Sequence, residues 1–469
     1  MEAEKADVVL LGVGTCAEDL GLRLAGAGVD VVGIESGLLG GECAYWACIP
    51  TKMMIRAADL LQEARRIDGV AGHSDVSPDW GPVAKRIREE ASGDWDDSVA
   101  VARFEDKGAR FVRGRGKLTG PDTVAVGDRS FTASGGIVIA TGSKPVIPPV
   151  PGLAEIDYWT THEAIKAEEL PGSLIVLGGG AAGCEIGQVY SRFGVDVTLV
   201  EGRERLLPAE EPEAGEVVRK AFEAEGIAVR TGAMAERVES PGESVVVALS
   251  GGEELTADRL LVAAGRTADL DDLGLEAAGV GRSNGSIEVD DRLRAADGIW
   301  AIGDVTGHGN FTHVGLYQAS IVAAELLGES APPASYDAVP QVTFSDPEVG
   351  AVGIGESEAR AAGLEVASVV KSVPATFKGW LHGPGNEGII KLVADRESGV
   401  LVGATSVGPR GSEVLGLLSA AVHAKIPIAE LQSMIYPFPT FHGGVGEAIG
   451  AYARGLQQVL DPTADQSLM

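Results

Sequence analysis

Two stretches of the chain show the same succession of apolar and polar positions. In each, a short apolar run typical of a buried parallel strand precedes a segment with helical spacing and then a second apolar run. The first comprises residues 7–12, 17–27 and 29–35, and the second comprises residues 173–178, 182–193 and 195–201. This repeated βαβ pattern predicts an α/β fold with doubly wound parallel sheets.

The rest of the chain divides into regions that differ in the spacing of their apolar residues and in their proline content. Residues 52–66 and 81–106 have helical spacing, and residues 109–139 predict short strands separated by turns. The proline-rich residues 144–151 predict a linker. Strand-like segments alternate with helical ones in a C-terminal α+β region, at residues 339–344, 388–394, 401–408 and 411–424. The predicted domains are residues 1–150, 151–268, 269–334 (a second part of the first domain) and 335–469.

Charge and composition narrow the function. The formal net charge of −30 over 469 residues argues against a nucleic-acid partner and against an anionic membrane surface. No apolar run reaches spanning length and no signal peptide is evident, so we expect a cytoplasmic protein. The four cysteines are too few for a secreted disulfide scaffold of this size. A close cysteine pair in a reducing compartment is more often catalytic or metal-binding.

The first glycine loop lies between the first strand and helix. Gly12 permits a tight turn, Gly14 lets a pyrophosphate approach the backbone, and Ala17 is small enough for close helix–strand packing. Glu35 ends the following strand, at the spacing expected for an acceptor of ribose hydroxyls. These residues predict a dinucleotide site.

A second loop has the same form in the second βαβ unit. Its glycines are Gly178, Gly180 and Gly183, and Glu201 ends the next strand. Two dinucleotide sites in one chain indicate two different dinucleotides, and therefore an electron relay rather than a simple dehydrogenase.

A cysteine pair follows the first βαβ unit. Cys43 and Cys48, separated by four residues, stand after Gly41 and before Lys52. In a helix-like geometry they can approach closely enough for a disulfide, and a helix N-terminus and a lysine favour a thiolate. A zinc site is the alternative, but it needs two further ligands and no second cysteine pair or close histidine cluster is present. We therefore predict a redox pair and no metal site.

Taken together, these motifs resemble the pyridine nucleotide–disulfide oxidoreductases, the family of dihydrolipoamide dehydrogenase, glutathione reductase and mercuric reductase. The resemblance covers nearly the whole chain. It rests on residues 40–52 (GGECAYWACIPTK), the turn with Thr141 and Gly142, Glu185 in the second loop region, Gly265 with Arg266, Asp304 in residues 302–305, and residues 344–350. It implies that the first loop binds FAD and the second binds NAD, with NADP also possible.

The resemblance also implies residue roles. Cys48 is then the sulfur beside the flavin and Cys43 the outer sulfur that exchanges with substrate. Lys52 and Glu185 correspond to an ion pair beside the flavin ring, and Asp304 to the acid that binds the ribityl chain. Hydride passes in this family from NAD(P)H to the flavin, which reduces the disulfide.

Cofactor choice and assembly are implied in the same way. Glu201 favours NADH over NADPH, because a carboxylate there repels a 2′-phosphate, although Arg203 and Arg205 soften this preference. Residues 335–469 are expected to form a homodimer that completes each active site.

One segment departs from the family pattern. Phe438 stands where the family has the His of a His-Pro-Thr-x-x-Glu segment, and Gly443 stands at the Glu position. Phenylalanine cannot transfer a proton, and general acid–base help is worth about 10²–10⁴-fold, so dithiol turnover should be poor. His442 and Glu447 have the spacing of the missing dyad and are a candidate replacement. Mercuric reductase also has an aromatic residue here, but its C-terminal cysteine pair and N-terminal metal-binding module find no match.

Three functions therefore stay open. The chain is a disulfide or dihydrolipoyl oxidoreductase acting through Cys43, a flavin reductase of quinones or metal ions, or a scaffold that has lost turnover. The intact cysteines, Lys52 and Glu185 argue against the scaffold. Two further departures, the pair Tyr45-Trp46 and Ala181 in the place of an aromatic gate, fit a small-molecule electron acceptor.

Overall fold

The computed structural model describes residues 3–459. The described α-helices are α1 (Thr15–Gly26), α2 (Gly41–Tyr45), α3 (Cys48–Arg65), α4 (Gly81–Arg86), α5 (Ser98–Asp106), α6 (Thr161–Lys166), α7 (Ala181–Arg192), α8 (Pro212–Ala224), α9 (Thr312–Leu326), α10 (Glu356–Ala361), α11 (Phe377–His382), α12 (Gly411–His423), α13 (Ile428–Ser433) and α14 (Phe441–Ala453). A π-helix, Ile87–Ala91, continues α4.

The described strands are short, as expected for open α/β sheets. They are β1 (Glu4–Leu11), β2 (Val31–Glu35), β3 (Arg110–Arg113), β4 (Gly116–Leu118), β5 (Thr123–Val126), β6 (Arg129–Ile139), β7 (Ser143–Pro145), β8 (Ser173–Leu177), β9 (Asp196–Glu201), β10 (Ala228–Thr231), β11 (Ala235–Glu239), β12 (Val245–Leu249), β13 (Glu254–Ala257), β14 (Arg259–Val262), β15 (Arg266–Ala268), β16 (Arg282–Ser283), β17 (Ser286–Ile287), β18 (Arg294–Ala296), β19 (Ile299–Ala301), β20 (Pro340–Thr343), β21 (Glu348–Gly353), β22 (Val366–Ser372), β23 (Ile389–Asp395), β24 (Val400–Gly408) and β25 (Gln458–Val459).

The chain forms two compact units, each built from three separate stretches. Within the described residues, the first unit comprises residues 3–51, Ala84–Val146 and Gly265–Tyr336, and the second comprises Lys52–Val83, Ile147–Ala264 and residues 337–459. The first unit is organised around a sheet ordered β18-β19-β6-β1-β2-β3, with β5 pairing to β6 and β4 to β5. The pairings of β1 with β2 and β6 are parallel, as the βαβ pattern predicts.

The second unit contains the second βαβ repeat and the C-terminal region. Its parallel sheet has the order β10-β9-β8-β14, and a separate antiparallel sheet comprises β11, β12 and β13. The C-terminal residues form a sheet ordered β20-β21-β24-β23-β22-β25. The predicted α+β region is thus a mainly antiparallel sheet with α12 and α14 packed against it. The three predicted boundaries, after residues 150, 268 and 334, stay a prediction.

Strand β1 shows why the apolar runs are continuous rather than alternating. Its Val8 and Leu10 belong to one buried cluster, together with Leu20 of α1, whereas Val9 and Leu11 belong to another on the opposite face. Both faces of the parallel sheet are covered at this end of the strand, so all four positions of the run 8–11 are apolar. This covered sheet fixes the loop after β1, which carries the first dinucleotide motif.

The predicted helix over residues 81–106 is wrong in its middle. Helical structure ends at Ala91 and resumes at Ser98, because Gly93, Asp94 and Trp95 have φ values of +56°, +61° and +55°. Left-handed backbone of this kind terminates a helix. Trp95 is held in this turn by packing against Trp46, with ring centroids 5.7 Å apart.

No helix within residues 3–459 combines the length and the apolar character needed to cross a bilayer.

Candidate active site

The first glycine loop has the geometry that its sequence predicts. Gly12 has φ +92°, and a Cβ there would lie 2.5 Å from the carbonyl oxygen of Ala140. By contrast, a Cβ on Gly14 would meet no atom within 4 Å, and Gly14 caps α1 without any side-chain hydrogen bond. The N-terminus of α1 therefore has room beside Gly14, and a helix N-terminus with such room can receive a pyrophosphate.

Glu35 closes this loop from the next strand. Its two carboxylate oxygens accept hydrogen bonds from Val13 N at 2.8 Å and from Gly37 N at 2.7 Å. A cavity beside it is lined by Gly12, Glu35, Thr141 and Asp269, among others. Glu35 keeps lone pairs for ribose hydroxyls, because a carboxylate can accept about four hydrogen bonds.

A polar cluster surrounds the predicted ribityl-binding acid in the same unit. Asp304 Oδ2 accepts from Ser143 Oγ at 2.5 Å, and Arg266 donates to Ser143 Oγ at 2.8 Å and to its carbonyl at 2.6 Å. Burial raises the pKa of Asp304, although the Ser143 hydrogen bond and Arg266 oppose the shift. Arg266 also pairs with Glu42, next to the redox cysteine, at 3.1 Å.

The turn glycines of this region hold the backbone in conformations that other residues rarely adopt. Gly41, Gly142 and Gly265 have φ values of +65°, +71° and +111°. The Gly265 carbonyl accepts from Val146 N at 2.9 Å, and Thr141 Oγ1 donates to the Asp269 carbonyl at 2.8 Å. The open loop, the acid and this cradle fit FAD, and these residues would hold its nucleotide and ribityl parts.

The two redox cysteines are neighbours in space. Cys43 lies in the short helix α2 and Cys48 begins α3, and their side chains are hydrogen-bonded free thiols, both half-buried. The hydrogen bond to Cys48, followed by burial, raises the pKa of Cys43. The hydrogen bond between the two side chains therefore favours the protonated form of Cys43.

Threonine hydroxyls flank the pair, and sequence reasoning missed them. Thr312 Oγ1, at the start of α9, lies 3.4 Å from Cys48 Sγ and is also hydrogen bonded to Cys43. Thr15 is a further hydrogen-bond partner of Cys43 and donates to the Gly40 carbonyl at 2.9 Å. Thr312 follows the glycine-rich residues 303–309, and no local pattern marks it.

The predicted lysine–glutamate pair forms in the second unit. Lys52 Nζ lies 2.8 Å from Glu185 Oε2, and the other Glu185 oxygen accepts from Phe344 N at 2.8 Å. Lys52 also sits over the Phe344 ring, 4.6 Å from its centroid. Glu185 is 5% exposed, so its charge is held in place by these two partners. Helix α3 carries Lys52 one turn after Cys48.

The second glycine loop repeats the first in its internal contacts. Gly178 has φ +117°, and Glu201 accepts from Gly179 N and from Arg203 N, both at 2.8 Å. Gly180 caps α7 without a side-chain hydrogen bond and has open space at its Cβ position. These residues fit a nicotinamide dinucleotide in the way that the first loop fits FAD.

The substituted C-terminal segment does not assemble the hypothetical His442–Glu447 dyad. Glu447 lies 3.6 Å from the buried Lys371 and accepts from Phe377 N at 3.2 Å. Within the described residues the His442 imidazole makes no hydrogen bond or ion pair. Phe438 is 72% exposed and contacts the Phe377 ring at a centroid distance of 5.0 Å.

The aromatic residues of the redox segment have different environments. Tyr45 is buried, so its ring packs within the first unit and does not form an exposed wall. Trp46 is half-buried and stacks on Trp95 with an interplanar angle of 23°.

Comparison with known proteins covers most of the chain. A family model described as pyridine nucleotide-disulphide oxidoreductase matches residues 6–322, and the dimerisation domain of the same family matches residues 339–449. A dihydrolipoyl dehydrogenase of Thermus scotoductus is 33% identical over 97% of this chain and 99% of its own. A mercuric reductase of Bacillus cereus is 30% identical over 97% of this chain and 72% of its own.

A solved structure adds a third relative. A Cu(II) complex of the HOCl-induced flavoprotein disulfide reductase RclA from Escherichia coli superposes with a TM-score of 0.84, at 26% identity, over 95% of this chain and 99% of that one. Glycine loops, cysteine pair and C-terminal domain all agree with the sequence-based expectation of FAD and NAD(P)H as cofactors. The chain belongs to the pyridine nucleotide-disulphide oxidoreductase family and is an NAD(P)H-dependent flavoprotein with a redox-active cysteine pair.

Proposed function

We propose that this enzyme uses NADH to reduce a small oxidant, a quinone or a thiophilic metal ion, and turns over dihydrolipoamide poorly. The observation that carries the proposal is Phe438. Phe438 occupies the sequence position at which the family carries the proton-transferring His, and Glu447, the acid of the candidate replacement dyad, is occupied by Lys371 and Phe377 N. Loss of the carrier costs about 10²–10⁴-fold in proton-transfer catalysis.

FAD, when bound, supplies the two-electron chemistry that links NADH to the cysteine pair. The residues around it have electrostatic tasks. Lys52 carries a positive charge held by Glu185, and such a fixed cation stabilises negative charge that develops nearby. The hydrogen bond to Cys48 and burial favour the protonated form of Cys43.

Two features support a small acceptor. The two adjacent thiols offer soft ligands of the kind that thiophilic metal ions prefer, and the relatives include a mercuric reductase and a reductase solved with Cu(II). The exposed Phe438 and the stacked Trp46 are aromatic surfaces suited to a flat quinone. We propose a quinone accepting electrons from the flavin, and a metal ion accepting them through Cys43.

The enzyme is proposed to act as a cytoplasmic homodimer through residues 335–469. The support is the match of residues 339–449 to the family's dimerisation domain. Light scattering at micromolar concentration tests this, and a monomer would contradict it.

An acceptor panel under anaerobic conditions tests the function. NADH oxidation is measured with lipoamide, a benzoquinone and Cu(II), in the wild type and in Cys43→Ser. We expect Cys43→Ser to lose lipoamide and Cu(II) reduction and to keep quinone reduction, because quinone reduction at the flavin does not need the outer sulfur. Equal loss of all three activities would show that electrons leave only through the dithiol.

Phe438→His is the complementary variant. It restores an imidazole at the position of the missing acid, so lipoamide turnover should rise, by at most about 10²–10⁴-fold. Phe438→Tyr is the matched control, since it keeps the aromatic ring and adds a hydroxyl that stays protonated at neutral pH. Fast wild-type lipoamide turnover that neither variant changes would show that another group, such as His442, already carries the proton.

A further inference from the structure

The second unit contains another charged cluster. It lies two helical turns further along α3 and α7, the helices that carry Lys52 and Glu185. Arg192 is only 3% exposed, and its guanidinium donates to three carboxylates. The distances are 2.8 Å to Asp59, 2.7 and 2.9 Å to Glu225, and 2.6 Å to Asp346. A planar guanidinium presents five donors in a rigid fork and so fixes the directions of its partners, whereas a lysine ammonium is a compact point charge on a flexible stem.

The cluster repeats the spacing of the Lys52–Glu185 pair. Asp59 follows Lys52 by two turns of α3, and Arg192 follows Glu185 by two turns of α7. The two ion pairs are therefore successive rungs between the same two helices. A slide of either helix by one residue, about 1.5 Å, would break both rungs together.

The same face of α7 also binds the segment that contains Phe344, whose ring lies under the Lys52 ammonium. Glu185 accepts from Phe344 N, and Gln188, one turn later, accepts from Asp346 N at 2.8 Å and donates to the Asp346 carbonyl at 2.7 Å. Arg192 then binds the Asp346 side chain. The Phe344 ring beneath the Lys52 ammonium is thus tied to Arg192 through two residues of backbone.

We propose that Arg192 is a positioning residue that sets the place of the Lys52 charge through the helix register of α3 and α7. The proposal rests on the proposed function, in which Lys52 stabilises charge beside the flavin. Buried ion pairs seldom add net stability over well-packed apolar residues, because desolvation offsets their attraction. The cluster therefore contributes a fixed register between α3 and α7 rather than net stability.

Asp59 gives the cluster a pH dependence. Burial raises its pKa to about 6, outweighing the lowering by Arg192, and Asp346 and Glu348 raise it further. The other charged neighbours are Arg66, 2.7 Å from Asp346, and Arg65, which donates to the Arg192 carbonyl at 2.9 Å. Asp59 is ionised above pH 6 and pairs with Arg192, and this rung weakens as the pH falls below 6.

The experiment compares Arg192→Lys with Asp59→Asn in the FAD-loaded enzyme. Stopped-flow reduction by NADH and the flavin midpoint potential are measured from pH 5 to 8. We expect Arg192→Lys to slow flavin reduction by about 10-fold or more at unchanged NADH affinity, since displacements of ~1 Å remote from the chemistry cost up to about 10²-fold. Asp59→Asn should remove an inflection near pH 6 from the wild-type rate profile.

A double-variant comparison separates positioning from general damage. In a Lys52→Met background Arg192→Lys should shift the flavin potential no further, because it acts through Lys52. Additive shifts would overturn the proposal. Lys52→Met alone without any effect on the potential would instead refute the role of Lys52 within the proposed function.

Lys391 provides a matched control in the same unit. It is also 3% exposed and is held by Glu211, Glu213 and Glu356, none of which lies on α3 or α7. Lys391→Met should lower the melting temperature without moving the flavin potential. If Arg192→Lys behaves in the same way, the cluster is structural only. If Arg192→Lys does not fold, Asp59→Asn decides, and an unchanged pH profile in that variant counts against the proposal.

Discussion

The two glycine loops of this protein share one pattern of hydrogen bonds, but they differ in the side chains that they can accommodate. In both, a carboxylate from the second strand accepts an amide hydrogen from the residue after the first glycine, at 2.8 Å, and another from the residue two places after the acid. In both, the helix begins at a glycine with open space above it. This shared hydrogen-bond pattern explains how the same βαβ unit can bind two different dinucleotides.

The difference lies at the third position of the motif. Ala17 is buried in the first loop and fits there, whereas a Cβ on Gly183 in the second loop would lie 1.9 Å from the carbonyl oxygen of Gly178. Helix α7 therefore approaches its strand more closely than a methyl group allows. The acids differ as well, because Glu201 is 9% exposed and is followed by Arg203 and Arg205. Similar motifs can thus carry different steric and electrostatic constraints.

Swapping the two third-position residues should produce the largest effect. Gly183→Ala forces the carbonyl of Gly178 to move, which displaces the nucleotide loop, so we expect the KM for NADH to rise by about 100-fold or the protein to misfold. Ala17→Gly removes one buried methyl and lowers helix propensity, a cost of about 1–2 kcal/mol. Steady-state kinetics and thermal unfolding measure the pair. Equal tolerance of both changes would show that the close approach of α7 does not matter.

Neutralising the two acids should have an intermediate effect. Glu201→Gln removes the charge that repels a 2′-phosphate, so the preference of kcat/KM for NADH over NADPH should fall by about tenfold, or ~1.4 kcal/mol. Glu35→Gln should weaken FAD retention and leave the nucleotide preference unchanged. A wild-type enzyme that uses NADPH as well as NADH would contradict the assignment of Glu201.

The cysteines of the two loops should have the smallest effect. Burial, with a further contribution from Asp304, raises the pKa of Cys16 to about 12, and burial beside Glu185 and Glu201 raises that of Cys184. The fully buried Cys184 should stay protonated and resist iodoacetamide at pH 8 in the native, NADH-reduced enzyme, and Cys16, which is partly accessible but has a raised pKa, should react slowly. Peptide mass spectrometry reads this out, with urea-unfolded protein as the control in which Cys16 and Cys184 react.

Local sequence patterns were sufficient for the loops and insufficient for the ionic contacts. The strand, loop and helix around Gly12 and Gly178 follow from apolar runs and glycines that act within a few residues, so their bounds differ from the prediction by only a few positions. The break at residues 93–95 was missed, because its left-handed turn depends on packing between Trp95 and Trp46. Residue spacing alone carried no sign of it.

The residues of the candidate site show the same contrast between what the sequence indicates and what only the fold reveals. The family resemblance identified Lys52 and Glu185, which the structure places 2.8 Å apart. It gave no indication of Thr312 beside the cysteines or of Asp59 with Arg192, because contacts between distant elements leave no periodic trace in the sequence. The hypothetical His442–Glu447 pair rested on spacing alone, and Glu447 instead binds Lys371. Long-range partners of a charged residue have to be seen in the fold.

The order in which the strands of the first unit leave the ribosome has a consequence for production of the enzyme. Strand β6 is complete at Ile139, but its residues 137–139 pair with the parallel strand β19, which begins only at Ile299, so this part of β6 stays unpaired on one side during the synthesis of the intervening chain. At about 5–20 residues per second this interval lasts roughly 10–30 s. An open apolar strand edge is a template for aggregation. We therefore expect soluble yield to depend on chaperones and temperature, and FAD to be retained only after the last part of the first unit has been made.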